Sequence, residues 1–534
     1  MNISCIEKKT RLPIFRATLL FLYLSLSIPV FAQYQKIPEN TDKPLRIEIP
    51  ARSSNETYRV IPCGANGFVL FFRSLEVVDG THVNWYFSLY DTNMQQVWVK
   101  SIPMLNDQDY RFHQDGIDTL ALLFVSSGKS KSTENNFEIM QIVFNKGTFV
   151  LNVGRLHPSA EVVAFGIRWG RAWLGINLQG QPGTILNIRL KQGAERSFPL
   201  GLGNLISVRW MKPDTNTTGV TAIVSRQISK KGIEYYLVRY DTAGLIKSEV
   251  MIAEPSGDRE LSHFQLISTE PGVYLMAGSY GQGAAGSSRK NKIPDESTGF
   301  FTILIGGGVQ KQVNYYNFLE LQNASSLLDE KDIMNLKKKA LKKNKKITEF
   351  SLDFPVLLHD FQALNNQYIL TMEIYAPQYH TENFTDFDYY GRPYTNSYSV
   401  FDGYRFVNAI VAGFNKEGKL LWDNTLEIRN LVSMELTPKV VIFPAGNDQV
   451  LCYISDGKIG SKIIAQNIVV EKLDFASVEL LYPEDKLLSE MKGTLIPWYA
   501  NYFLSYGYQE IKNIALESNN KRLVFYLTKL RFEK

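Results

Sequence analysis

The chain has 534 residues, of which 45% are hydrophobic, 21% charged and 12% aromatic, with 37 Gly and 21 Pro. This composition excludes collagenous, low-complexity and wholly disordered classes, and six His with three Cys leave little material for a metal cluster or a disulfide scaffold. The formal charge of +5 is local: residues 1–32 contribute +3 and residues 331–346 contribute +7, so the remainder is negative and general nucleic-acid binding is not implied.

At the start, Lys8, Lys9, Arg11 and Arg16 precede an apolar run from Ala17 to Ile28, and Pro29-Val-Phe-Ala32 follows. That order of basic, apolar and small residues reads as a signal peptide cleaved after Ala32. No later stretch is apolar and long enough to span a bilayer. The expected product, residues 33–534, is exported to the periplasm, the outer membrane or the cell exterior.

From there on, short runs rich in aromatic and β-branched residues recur, punctuated by Gly, Asn and Asp, which reads as all-β. Eight of these runs are nearly continuous in apolar character: 67–72, 119–124, 172–176, 220–224, 273–276, 368–372, 450–454 and 502–505. Aligned on Val69, Leu122, Trp173, Ile223, Tyr274, Ile369, Val450 and Phe503, they are spaced by 53, 51, 50, 51, 95, 81 and 53 residues. A unit of about fifty residues with four short strands fits a propeller blade, whose sheet buries both faces only between neighbours. Sandwiches would repeat at about a hundred residues and β-helices at a few tens. Strands Trp85–Asp91, Tyr235–Asp241 and Ala409–Asn415 each run into a polar turn, and Leu45–Ile49 is a spare strand able to close the ring against Leu523–Leu527. At fold level the chain resembles the broad WD40-like and PQQ-like bacterial β-propellers over residues 42–534. The resemblance implies one propeller of eight blades, seven being the alternative because the unit from Tyr482 is the least regular. It carries no functional residues.

Three long segments interrupt the repeat: 281–297, about 319–350 and about 378–403. Each follows an even-numbered strand of its unit, and in a four-strand meander such connections emerge at one end of the sheet. The second contains Lys331 and the run from Lys337, Lys338 and Lys342 to Lys346, behind Ser325, Ser326 and acids, the pattern of a basic helix. It would attract an anionic surface, or form an ordinary solvated helical face. The third reads as a long aromatic loop. Its Tyr379, Tyr389, Tyr390, Arg392, Tyr394, Tyr398 and Phe401 suit a contact surface, since flat rings supply area with little rotamer entropy. The alternative is that these rings pack on their own blade. Gly281-Gln-Gly-Ala-Ala-Gly286 matches a dinucleotide fingerprint in letters only, with no helix following it.

No metal, nucleophile or phosphate motif is present, no cofactor is implied, and Cys63 and Cys452 read as buried free thiols. Glu373 and His359-Asp360 are the carboxylates and imidazole best placed to face a central channel. The reading is an exported, non-enzymatic propeller binding a protein or glycan of the envelope through one rim. The alternative is a carbohydrate-active hydrolase or lyase using Glu373.

Overall fold

The computed structural model describes residues 45–54, 56–126, 135–190, 194–201, 206–229, 232–254, 259–282, 296–323, 334–335, 338–339, 341–342, 352–364, 366–513 and 521–532. The expected signal peptide, Lys337 and residues 283–286 of the glycine motif lie outside them. Pro44–Lys534 forms one compact unit. It contains eight antiparallel sheets, seven of four strands and one with additional short strands. The seven-blade alternative is therefore set aside.

Blade one shows the pattern: Arg59–Pro62, Phe68–Val77, His82–Tyr90 and Gln96–Leu105 pair in sequence order. The eight apolar runs are the second strands of the eight sheets, from Phe68–Val77 to Tyr502–Asn513. Their continuity in apolar residues follows from position, since a second strand has a neighbouring blade against each face. Val69, Leu122 and Ile223 are all fully buried. First strands of successive blades touch one another, which places them around the axis, while fourth strands such as Gln96–Leu105 are largely exposed.

The apolar core is divided into clusters that lie between blades. Phe71, Trp85 and Phe87 of blade one meet Leu122, Phe124 and Met140 of blade two. Equivalent clusters join each later pair, and the last sets Trp498, Leu504, Tyr508 and Phe525 of blade eight against Phe68, Leu70 and Tyr90 of blade one. The sheets thus form a closed ring. Each fully buried Phe, such as Phe71, contributes about 1.5–3 kcal/mol.

Closure uses the spare strand. Arg46–Pro50 pairs antiparallel with the last strand, Lys521–Arg531, in the register Ile47 to Leu527 and Ile49 to Phe525. Blade eight is irregular in sequence because its outermost strand comes from the other end of the chain. Arg46 is buried there: its guanidinium donates to Gln509 Oε1 at 2.7 Å, to Thr528 Oγ1 at 3.1 Å and to Glu48 at 2.9 Å, and it lies over the Tyr526 ring. Glu48 is shared with Arg522, which also pairs with Asp485 of the first strand of that blade. A charge this buried is tolerable only because its donors are met.

The polar turns repeat in geometry. At Asp91, Asp241 and Asn415 the residue's own N–H donates to the carbonyl four residues on, and its side-chain oxygen accepts the N–H groups two and four residues on. The fourth turn residue has positive φ: Met94 at 60°, Gly244 at 82° and Gly418 at 77°. Cys63 and Cys452 are free and buried, and burial pushes both thiols up to about 12.

Candidate functional site

Residues 378–403 form no loop. The second and third strands of blade six, Gln367–Phe387 and Pro393–Phe414, run for 21 and 22 residues and stay paired from Tyr368–Phe414 to Phe387–Pro393. Their inner parts are buried in the blade and their outer parts are exposed on both faces. At about 3.4 Å per residue, the ten residues beyond Pro377 make a ribbon about 30 Å long. The segment is ribbon rather than loop because Thr381, Phe384, Thr385, Thr395 and Tyr398 favour extended backbone and Asp388-Tyr-Tyr-Gly-Arg392 supplies a turn.

That tip turn is the one found at Asp91, Asp241 and Asn415. The Asp388 N–H donates to the Arg392 carbonyl at 3.0 Å, Asp388 Oδ1 accepts the N–H groups of Tyr390 and Arg392, and Gly391 has φ of 71°. It holds Tyr389 97% exposed and Tyr390 79% exposed, with Arg392 over the Tyr390 ring.

Register sorts the remaining expected contact residues onto opposite faces, because directly paired residues share a face. Tyr394 pairs with Asp386 and Tyr398 with Glu382, so these tyrosines share a face with Phe384, which meets Tyr398 edge-on at 5.3 Å. Tyr379 and Phe401 pair on the other face, their rings 5.4 Å apart. That second face continues inward: Phe401 touches Tyr404, Tyr404 touches Tyr375, and Tyr375 touches the buried Phe406, at 5.1, 5.4 and 6.3 Å. The expected alternative, rings packed down on blade six, holds only for this inner file.

At the ribbon base the pairing slips between Gln378 and Tyr379 opposite Gly403, whose φ of 124° suits glycine and whose added Cβ would meet the Ser433 carbonyl at 2.9 Å. Beside this bulge His380 Nδ1 donates to Asp402 at 2.5 Å and Nε2 to Glu382 at 3.2 Å. Those two carboxylates hold the imidazole above its usual pKa.

The basic segment behaves differently from the ribbon. Met334, Asn335, Lys338, Lys339, Leu341 and Lys342 are helical and exposed. The chain leaves blade five at Asn317, at the end expected from strand parity, and turns at once through Phe318–Glu320. The Gln322 and Asn323 N–H groups then donate to the Asp423 carboxylate at 2.8 and 2.9 Å, and Asn467 donates to Gln322. Asp423 pairs with Ala412, towards the end of blade six away from the ribbon, and is 1% exposed. The basic insertion is therefore tethered at its start on the flank of blade six, and among the described residues no hydrogen bond or ion pair joins Lys338, Lys339 or Lys342 to the ribbon. Leu328, Ile333, Leu336 and Ala340, apolar residues of the same segment, lie outside the described residues.

Glu373 does not face the channel as an open acid. It is fully buried, and its Oε1 accepts His359 Nε2 at 2.7 Å and the N–H groups of Lys439 and Val440 at 2.7 and 2.6 Å. It pins blade six to the entry of blade seven, while Asp360 points to solvent. The open polar ground is at the channel mouth near the ribbon base. Arg59 of blade one grips Glu435, from the connection between blades six and seven, through Nη1–Oε2 at 2.8 Å and Nη2–Oε1 at 2.9 Å. Tyr110 and Tyr506 lie beside Arg59, and the Tyr110 hydroxyl is 2.6 Å from His113 Nδ1. Sequence reasoning missed Arg59 and Glu435, which are 376 positions apart and share no motif.

No family model matches the sequence, and no curated protein does. Among solved structures, the chain is similar to the β-propeller domain of the trilobed protease from Pyrococcus furiosus, at 7% identity and a TM-score of 0.32 over 78% of this chain and 98% of that one. It is also similar to a prolyl endopeptidase, at 8% identity and 0.36 over 86% and 54%, and to a polysaccharide lyase, at 9% and 0.35 over 95% and 96%. This chain spans about half the length of the prolyl endopeptidase. At these identities and scores no residue and no activity is carried over.

Proposed function

We propose that this chain is an exported, non-enzymatic propeller that captures a protein or glycan of the cell envelope on the blade-six ribbon. The supporting observation is the tip: Tyr389 and Tyr390 stand almost wholly in water on a turn held by Asp388, with Arg392 beside them. Rings fixed in this way offer contact area that loses little entropy when covered. Tyr394 and Tyr398 extend the surface along one face, Tyr379 and Phe401 along the other. Export rests on the basic and apolar order of residues 1–32, and the exposed Lys338 and Lys342 add attraction to an anionic partner or surface. Replacing Tyr389, Tyr390, Tyr394 and Tyr398 with Ala should abolish capture of an envelope partner at unchanged melting temperature, and unchanged capture would overturn the reading.

The carbohydrate-active alternative draws on the channel mouth, where a Tyr110–His113 pair adjoins Arg59. It predicts soluble products from envelope polysaccharides and their loss in Tyr110→Phe. Intact polysaccharide after incubation with the wild-type protein would remove it.

A further inference from the structure

The channel mouth gathers three cations from three parts of the ring. Arg59, Lys439 and Lys492, from blade one, the entry to blade seven and blade eight, all act on the Glu435 carboxylate. Both Glu435 oxygens are taken by Arg59. Lys439 also feels Glu373, whose Oε1 accepts from His359 and two backbone N–H groups and whose buried Oε2 has no hydrogen-bond partner among the described residues. Three cations thus stand beside Glu435 and Glu373, with Asp115 acting on the bordering Tyr110.

Of the two lysines, the buried Lys439 is short of acceptors. Lys439 is 7% exposed, and among the described residues its ammonium donates only to Thr437 Oγ1, at 3.0 Å, with the Phe406 ring 5.9 Å away. An ammonium carries three donors, and leaving them unmet away from water is costly. Lys492 Nζ has the Tyr508 ring at 5.7 Å. Burial pulls both ammonium groups below the usual lysine range, Lys439 against the opposing pull of Glu373 and Glu435. Solvent reaches the place, since Arg59 and Glu435 are 41% and 42% exposed. Tyr110 and Tyr506, both partly buried, border it.

We propose that the channel mouth is a binding site for a small carboxylate ligand, whose single negative charge is taken by Lys439 and Lys492 and whose body rests against Tyr110 and Tyr506. A carboxylate offers two acceptor oxygens, one for each ammonium group. A sugar acid and a peptide C-terminus both present this group. The site is separate from the ribbon, so it stands or falls independently of partner capture there.

Isothermal titration of the whole protein at low salt tests the site with four probes: glucuronate, its methyl ester, N-acetylalanine and inorganic phosphate. The expected result is binding of glucuronate, of N-acetylalanine or of both, none of the ester, and weaker binding of phosphate. Which carboxylate binds identifies the source. Lys492→Gln, at an exposed position, should weaken binding about tenfold without lowering the melting temperature, and Lys439→Met should do the same or more. Alanine replacements of the ribbon tyrosines should leave it unchanged. The proposal is overturned if neither carboxylate binds, if the ester binds as well, if phosphate binds more tightly, or if Lys492→Gln keeps full affinity.

Discussion

Arg59 and Glu435 form a two-point ion pair, with N–O distances of 2.8 and 2.9 Å, that reaches past blades seven and eight to join blade one to the connection between blades six and seven. Most inter-blade contacts link neighbours through apolar side chains; this one spans the channel mouth with charge. A guanidinium and a carboxylate in this fork geometry are matched donor for acceptor.

Because both partners are about two-fifths exposed, the pair should stabilise the fold modestly, by about 1 kcal/mol. A double-mutant cycle with Arg59→Gln and Glu435→Gln in chemical denaturation should return a coupling of that size. Burial raises the Glu435 pKa, but Arg59 outweighs it and the net shift is downward. A carboxylate with a depressed folded pKa stabilises above its unfolded pKa, so the coupling should persist at neutral pH and disappear as pH falls through the folded value.

The closing strand should be far more sensitive. Arg46 and Glu48 are 2% and 7% exposed, and Glu48 also serves Arg522. Glu48→Gln leaves two guanidinium groups short of their shared counter-charge, and a loss of about 3–5 kcal/mol in unfolding free energy is expected. An equal change at the exposed pair Arg429–Glu427 should be close to neutral, which makes it the control.

The ribbon base should respond to pH in the opposite sense to Glu435. His380 is held above its usual pKa first by Asp402 and then by Glu382. A raised histidine pKa gives stability that is complete below the unfolded value and lost as pH rises through the folded one. Protection factors near Tyr379 and Phe401, with the intrinsic base-catalysed rate divided out, should therefore fall on going from mildly acidic to mildly alkaline solution, and His380→Asn should remove that fall while global melting stays constant.

At the tip, Gly391→Val forces a branched side chain to a φ of 71°. The cost, about 1–2 kcal/mol, should fall on the ribbon alone. The expected outcome is faster exchange around residues 386–394, an unchanged melting temperature for the ring, and weaker partner capture.

Glu373→Gln tests the structural role of that buried carboxylate. Replacing this buried acceptor of three hydrogen bonds should cost about 2–3 kcal/mol of stability, read from denaturation midpoints. Any activity loss in the variant should track unfolding, not the chemistry of an acid at a substrate.

The ring was legible in the chain because burial of second strands on both faces writes continuous apolar runs at a constant interval, and the closing strand showed as an apolar stretch with no unit of its own. The ribbon was less so. Its aromatics were visible, but Asp388-Tyr-Tyr-Gly-Arg392 had to be recognised as the turn already used after Tyr90, Tyr240 and Phe414 before two strands could be seen flanking it. Long-range polar ties were not legible at all. Asp423 holds residues a hundred positions earlier, and Glu373 binds backbone N–H groups, which carry no sequence identity. A buried carboxylate inside an apolar strand looks the same in sequence whether it meets a channel or a neighbouring main chain.

The strand Arg46–Pro50 has its hydrogen-bonding partner in residues 524–528. Without residues 524–528 this strand has no partner, and blade eight lacks the ladder that holds its outermost strand. Two segments remote in sequence are thus joined by a single β-ladder, so shutting the ring carries a large loop-closure entropy that the pairing must offset.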